Sequence, residues 1–174
     1  MSTAGNRKIF ILLFILILAL NFNFTNAQSL EQSLNSLRGI NKAGLIIEKV
    51  SQVLYDNGIR ENEIRKDVEA QLDFAGIKVY QSTDLKTLPG SPYLYVNIGA
   101  IKSKDNDLYA VSITVEFRQD VNLIRNPKQN YFGAATWSVS NIGIFSKDKL
   151  SEIKGFTKNM VDKFVKDYLK ANKM

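Results

Sequence analysis

The sequence contains no cysteine and no histidine. Without cysteine the chain has no disulfide, no thiolate nucleophile, no thiolate metal ligand and no cysteine to carry a lipid anchor. Without histidine it lacks the commonest acid–base side chain and metal ligand, which excludes Ser-His-Asp and Cys-His arrangements. It also has no metal-spaced cluster, Gly-rich phosphate loop or nucleophile elbow. We therefore expect no cofactor, no metal site and no catalytic residue.

Net charge is absent from most of the chain. Between residues 28 and 146, basic and acidic side chains number 13 each, whereas residues 147–174 carry eight lysines and four acids. The balanced body argues against nucleic-acid binding. The basic end has two readings. Lys154, Lys158 and Lys166 could contact an anionic surface, or they belong to an ordinary solvated helix face.

The N-terminus has the three parts of a secretory signal peptide. Arg7 and Lys8 form a positive region, residues 9–20 form an apolar core, and Thr25-Asn26-Ala27 supplies small residues at a cleavage site. The core is shorter than the roughly 20 apolar residues that cross a bilayer. We expect a periplasmic or secreted protein, cleaved after Ala27 and not embedded in the membrane; an uncleaved anchor is the alternative.

Three segments follow from this reading. Residues 1–27 are the signal peptide, residues 28–42 an N-terminal arm or short helix, and residues 43–174 a single domain. A chain of this length can build a hydrophobic core without disulfides.

Hydrophobic periodicity predicts the element order β-α-β-β-β-β-α. The predicted strands cover residues 43–50, 77–80, 93–102, 108–123 and 131–139, and the predicted helices cover residues 61–75 and about 147–172. Ser146 is the expected N-cap of the last helix. The order indicates an α+β fold, a two-layer sandwich of a mostly antiparallel five-stranded sheet with two amphipathic helices on one face.

Alternation along the fourth strand places three charged residues, Glu116, Arg118 and Asp120, on one side of the sheet. They could form a polar ligand site with Arg118 as an anion contact. The other reading is a pair of exposed ions on a solvated face, worth about 0.2–1 kcal/mol.

Aromatic residues are the second candidate feature. Tyr93, Tyr95, Tyr131 and Trp137 lie on strands that should be neighbours and could stack against a sugar, a peptide or another apolar ligand. Alternatively they pack within the sheet, and Trp137 closes one end of the core with its N–H bonded at the rim.

Three strings carry a resemblance to a known family: GSPYLYVN at residues 90–97, YAVSITVEFRQDV at residues 109–121 and TWSV at residues 136–139. They resemble a family of small exported bacterial proteins, frequent in cyanobacteria, to which no activity is assigned. The resemblance extends from about Leu37 to the final helix. It implies export and a single domain, and it supplies no catalytic residues.

The preferred interpretation is an exported, non-catalytic binding or envelope accessory module. Its partner would be an envelope protein, a glycan or an anionic surface, bound through the open sheet face, a strand edge or the basic last helix. The candidate ligand-binding residues are Tyr95, Glu116, Arg118, Asp120 and Trp137. The alternative is a hydrolase of envelope polymers that uses Glu116 or Asp120 with a second carboxylate. The oligomeric state stays open.

Overall fold

The structure is a computed structural model that describes residues 31–173. The predicted signal peptide lies outside the described residues. Residues 31–35 are helical, and the side chain of Leu37 is fully buried against the domain. The hydroxyl of Tyr168, near the end of the chain, donates a hydrogen bond to the carbonyl of Ile40 at 2.7 Å. The segment before the first strand is therefore packed onto the last helix.

Five strands and three α-helices make up the rest of the described chain. In chain order they are β1 (Lys42–Ile47), α1 (Gln52–Asp56), α2 (Glu61–Phe74), β2 (Lys78–Tyr80), β3 (Tyr93–Lys102), β4 (Leu108–Leu123), β5 (Asn126–Ser146) and α3 (Ile153–Asn172). Two 3₁₀ helices, Ser82–Thr87 and Lys147–Glu152, precede β3 and α3. The predicted α+β class is confirmed.

All five strands form one sheet in the order β2-β1-β3-β4-β5. β1 is parallel to both β2 and β3, whereas β3, β4 and β5 form an antiparallel meander. The parallel β1–β2 pair is joined through α1 and α2, since parallel neighbours need a crossover connection. β2 and β5 are the two edges of the sheet.

The core lies between one face of the sheet and the helices. Every second residue of β4 is buried there, from Tyr109 to Phe117. α2 contributes a stripe of buried apolar residues, and α3 contributes another that includes Phe164. The rings of Phe117 and Phe164 stack with their centres 5.4 Å apart. The side chains on the buried faces of the strands and of the helices thus form one apolar layer.

Within residues 31–173, no α-helix packs on the other face of the sheet. We call it the open face; it presents the alternate residues of β3, β4 and β5. Its β1 corner is covered by Leu85 of the first 3₁₀ helix. Residue 44 is glycine, and a Cβ there would collide with the Leu85 side chain. The missing side chain lets Leu85 pack directly on the strand backbone.

The last strand is longer than its sequence pattern predicted. It runs from Asn126 to Ser146 instead of residues 131–139, and its register against β4 shifts near Phe117, Gln119 and Asn122. The polar residues expected in a loop are paired with β4, since pairing with a neighbour overrides weak strand propensity. The chain reverses at residues 124–125.

The start of the last helix also differs from the prediction. Residues 147–152 form a 3₁₀ helix, and α3 begins only at Ile153. The Ser146 hydroxyl donates to Asp148 Oδ1 at 2.5 Å and makes no capping bond to a backbone N–H. The predicted serine cap is therefore wrong. The short helix α1 was not predicted, because five residues are too few for a periodic pattern.

The stack of Phe117 on Phe164 leads to a stability prediction. Phe117→Ala should lower the free energy of unfolding by about 3–5 kcal/mol, since it removes a fully buried ring and leaves a cavity. Denaturant titration measures the change. The matched control is Phe74→Ala on α2, whose side chain is 88% exposed and should change stability by less than about 0.5 kcal/mol. Equal effects would contradict this account of the core.

Candidate functional site

Arg118 is the centre of the polar group on the open face. Its Nε donates to Glu116 Oε2 at 2.7 Å, and a terminal guanidinium nitrogen lies 2.6 Å from the same oxygen. The guanidinium carbon also lies 4.1 Å from the centre of the Tyr95 ring. The β3–β4 register produces this arrangement by pairing Tyr95 with Glu116 and Tyr93 with Arg118. The cation is thus held by one carboxylate and one aromatic face.

Tyr95 connects this group to β1. Its hydroxyl donates to Glu48 Oε2 at 3.0 Å. Partial burial raises the pKa of Tyr95, and the neighbouring Glu48 carboxylate raises it further. For Arg118, burial acts to lower the pKa, but the hydrogen bonds to Glu116 and Tyr93 outweigh it and the net shift is upward. The group therefore keeps a neutral tyrosine and a charged arginine at neutral pH.

Asp120 lies two residues further along β4, where β5 bulges. Its Oδ1 accepts the N–H of Gly133 at 3.0 Å, and its own N–H donates to the carbonyl of Gly90 at 2.7 Å. These bonds tie β4 to the β5 bulge on one side and to the loop before β3 on the other. The carboxylate is fixed between two backbone segments.

A groove of about 660 Å³ lies beside Asp120 on the open face. We call it the β5-bulge groove; its lining residues are Lys86, Ser91, Tyr93, Asp120, Phe132 and Gly133. Phe132 is 81% exposed, which is unusual for so large an apolar side chain. The groove therefore combines aromatic rings with a carboxylate, an amine and a hydroxyl, as small-ligand sites do.

Backbone geometry shapes this groove. Gly90 and Gly133 have φ of 73° and 64°, and Ser91 has φ of 43° although it is not a glycine. A Cβ on Gly133 would lie 2.7 Å from the Tyr93 hydroxyl oxygen, so a larger residue does not fit there. A left-handed serine costs free energy, and such residues persist where the surrounding structure fixes them, often at functional sites.

Trp137 lies on the opposite face from Tyr95. It is 3% exposed, its ring meets Phe164 edge-on at 5.2 Å, and its Nε1 donates to Asp167 Oδ2 of α3 at 3.0 Å. This placement matches the reading in which the tryptophan closes the core with its N–H bonded at the rim. Of the aromatic candidates, Tyr93 and Tyr95 share the open face, and Tyr131 pairs with Val121.

The three candidate lysines of α3 lie in two different surroundings. Lys154 forms an ion pair with Glu63 of α2, and its hydrogen bond is the main reason why the pKa of Glu63 lies below the ordinary value. Lys158 and Lys166 line a separate cavity of about 380 Å³ between α2 and α3, which Asp67 and Asp162 also line. Acids therefore accompany the lysines on this side of the molecule.

Glu116 and Asp120, the two candidate carboxylates of β4, take part in separate contacts. Glu116 and Asp120 are four residues apart on one strand, which separates their Cα atoms by about 13 Å. Glycosidase carboxyl groups lie about 5–9.5 Å apart. Glu116 is paired with Arg118 and is not among the residues that line the β5-bulge groove. Within residues 31–173, no group of three or more acidic side chains is placed to hold a metal ion.

Several residues of this site were not singled out from the sequence: Glu48, Lys86, Ser91, Phe132 and Gly133. Gly133 carried a usable signal, because an isolated glycine inside a strand pattern indicates a bulge. A bulge also interrupts the alternation that assigns Phe132 to a face. Glu48 and Lys86 are joined to the site only by strand pairing and by the connection before β3.

No protein-family model matches this chain, and no curated protein does. Among solved structures, a PelC dodecamer from Paraburkholderia phytofirmans is 13% identical, with 75% of this chain and 88% of that chain covered and a TM-score of 0.43. A minor lipoprotein from Acinetobacter baumannii is 7% identical, with coverage of 75% and 92% and a TM-score of 0.34. The rare lipoprotein B from Shewanella oneidensis is 15% identical, with coverage of 74% and 92% and a TM-score of 0.29. Likenesses this distant carry no argument about function.

No helix within the described residues has the length and apolar character needed to cross a membrane. The resemblance to the exported bacterial family stays a prediction.

The Tyr95–Glu48 contact predicts a stability change at alkaline pH. Because folding raises the pKa of Tyr95, the folded state keeps this proton when the unfolded state loses it above about pH 10. The contribution of Tyr95 protonation to the free energy of unfolding is complete below that pH, and it is lost as the pH rises through the raised pKa of Tyr95. The free energy of unfolding, measured from about pH 9 to about pH 11, should therefore fall more steeply for the wild type than for Tyr95→Phe.

Glu48→Gln is the control for this prediction. It removes the carboxylate but leaves the burial of Tyr95, which is the larger cause of the shift, so its slope should be intermediate. Parallel curves for the wild type and Tyr95→Phe would contradict the assigned cause.

Proposed function

We propose that this chain is an exported, non-catalytic binding module that holds a glycan of the cell envelope in the β5-bulge groove. The supporting observation is the groove itself, with the exposed Phe132 ring at its wall. Export is supported by the N-terminal pattern of a positive region, an apolar core and a small-residue cleavage site.

The chemistry of the groove suits a sugar. A pyranose ring has apolar C–H faces and polar hydroxyls around its rim. The rings of Phe132 and Tyr93 can contact the C–H faces. Asp120 accepts hydrogen bonds, Lys86 donates them and Ser91 does both, so hydroxyls on the rim can be matched in either direction.

The groove is also formed before any ligand arrives. Asp120 is fixed by its bonds to Gly133 and Gly90, and Tyr93 is paired with Arg118 across β3 and β4. A site whose side chains are already ordered loses little conformational entropy on binding. The Glu116–Arg118–Tyr95 group then acts as the support behind the groove, which explains why its ions are satisfied by one another.

The proposal assigns no catalysis to the open face. Arg118 holds Glu116 in an ion pair, and Asp120 is bonded to the backbone.

Phe132→Ala tests the proposed function. The wild-type protein, titrated with oligosaccharide fragments of envelope polymers, should bind at least one of them in calorimetry or by NMR. The variant should bind that fragment about tenfold more weakly, a change of about 1.4 kcal/mol, because the stacking ring is lost. Its folding stability should change little, since the ring is exposed in the wild type.

Phe74→Ala is the matched control, because Phe74 is an equally exposed phenylalanine on the helical side of the molecule. Its affinity should equal that of the wild type. Absence of binding to every fragment, or equal affinity of Phe132→Ala and the wild type, would refute the glycan site.

A further inference from the structure

The outer edge of β5 is paired with no other strand within residues 31–173, and it is long. Folded proteins normally protect such edges, because unpaired N–H and C=O groups recruit other strands. The opposite edge of this sheet follows that rule, since β2 has only three residues and begins with Lys78. β5 extends over 21 residues. The β2 edge of the sheet is therefore protected against pairing, whereas the β5 edge is open to it.

Most of β5 lacks the side chains that usually protect an edge strand from pairing. From Tyr131 to Ser146 it contains no lysine, arginine, aspartate, glutamate or proline over 16 residues. Charges and prolines are the side chains that natural edge strands use against pairing. The part of β5 after the bulges, from Trp137 to Ser146, also pairs with β4 without any register shift. It is a regular strand with a regular free edge.

The open face carries exposed apolar side chains beside the regular part of this edge. Ile142 and Ile144 of β5 are 77% and 74% exposed, and Ile101 of β3 is 76% exposed. The strand registers align Ile101, Ala110 and Ile144 across the sheet. We call Ile101, Ile142 and Ile144 the isoleucine patch. On the helical side, a cavity of about 220 Å³ is lined by Gly143, Phe145 and Phe156 among others. The edge is therefore apolar on both faces.

We propose that β5 pairs antiparallel with β5 of a second copy of this chain, centred on Gly143, so that the two sheets become one. This register places Ile142 opposite the partner's Ile144 and Ile144 opposite the partner's Ile142. The isoleucine patches of both copies then form one cluster that crosses the junction.

The absence of charge makes a second copy of this chain a suitable partner for β5. A two-fold pairing brings each side chain opposite one from the same segment, so like charges would repel one another there. The segment has none, and a strand identical to itself is therefore an acceptable partner. Gly143 at the centre has no side chain to hold the two backbones apart. The β5-bulge groove lies at the other end of β5 and stays outside the junction, so this proposal does not depend on the glycan site.

The first test measures the mass of the protein in solution, after expression of the full chain, by sedimentation equilibrium. The wild type should be a dimer at micromolar concentration. Ile142→Lys should weaken dimerisation at least a hundredfold, because it places an ammonium group in the isoleucine cluster of each copy. Phe74→Lys, which adds the same charge at an exposed phenylalanine of α2, should leave the dimer unchanged. A wild type that is monomeric up to about 100 µM, or an Ile142→Lys dimer as tight as the wild type, would overturn the proposal.

The second test fixes the register and does not depend on a charged variant. The chain has no cysteine, so introduced thiols have no native competitor. Directly opposite residues have Cβ atoms about 4.5–5.5 Å apart, close to disulfide distance. An oxidised mixture of Ile142→Cys and Ile144→Cys chains should therefore form the mixed disulfide, whereas a mixture of Ile142→Cys and Phe74→Cys should not. Absence of the mixed disulfide from a dimeric protein would overturn the pairing.

Discussion

The regular alternation of β4 separates the two faces of the sheet, and the rest of the structure depends on it. Residues from Tyr109 to Phe117 point alternately into the core and away from it. The buried set gives α2 and α3 an apolar surface to cover, so the strand places no charged side chain in the core. The other set is left in contact with water, where Glu116 and Arg118 can pair without a large penalty.

β5 repeats the same division with three register shifts against β4, and the candidate site lies at one of them. The bulge at Gly133 brings Phe132 to the groove and turns a backbone N–H towards Asp120. Beyond the bulges the strand is regular as far as Ser146 and exposes its isoleucines. One edge strand thus offers two surfaces, a polar groove with an aromatic wall and an uncharged apolar edge. The first suits a small polar ligand and the second suits another strand.

Charge has a local role in this protein. Three lysines of the last segment form ion pairs with nearby acids: Lys149 with Glu152, Lys154 with Glu63 and Lys163 with Asp167. Asp167 also accepts the Trp137 N–H, which connects the rim of the core to the surface of α3. These contacts fix the last helix on the domain.

The sequence by itself determined the fold class, the order of the elements and the faces of β3 and β4, because periods of 2 and 3.6 are local properties of the chain. It also placed Glu116 and Arg118 on one side of the sheet, since alternation alone brings them there. The β3–β4 register that brings Tyr95 beside them was not predicted. The sequence did not determine the length of β5, the 3₁₀ start before α3 or the groove around Phe132. Those depend on cross-strand partners and on bulges, where residues distant in sequence meet and the local period is interrupted. Tertiary structure alone therefore decided which polar residues line a groove, which aromatic residue is exposed there and which edge of the sheet is left unpaired.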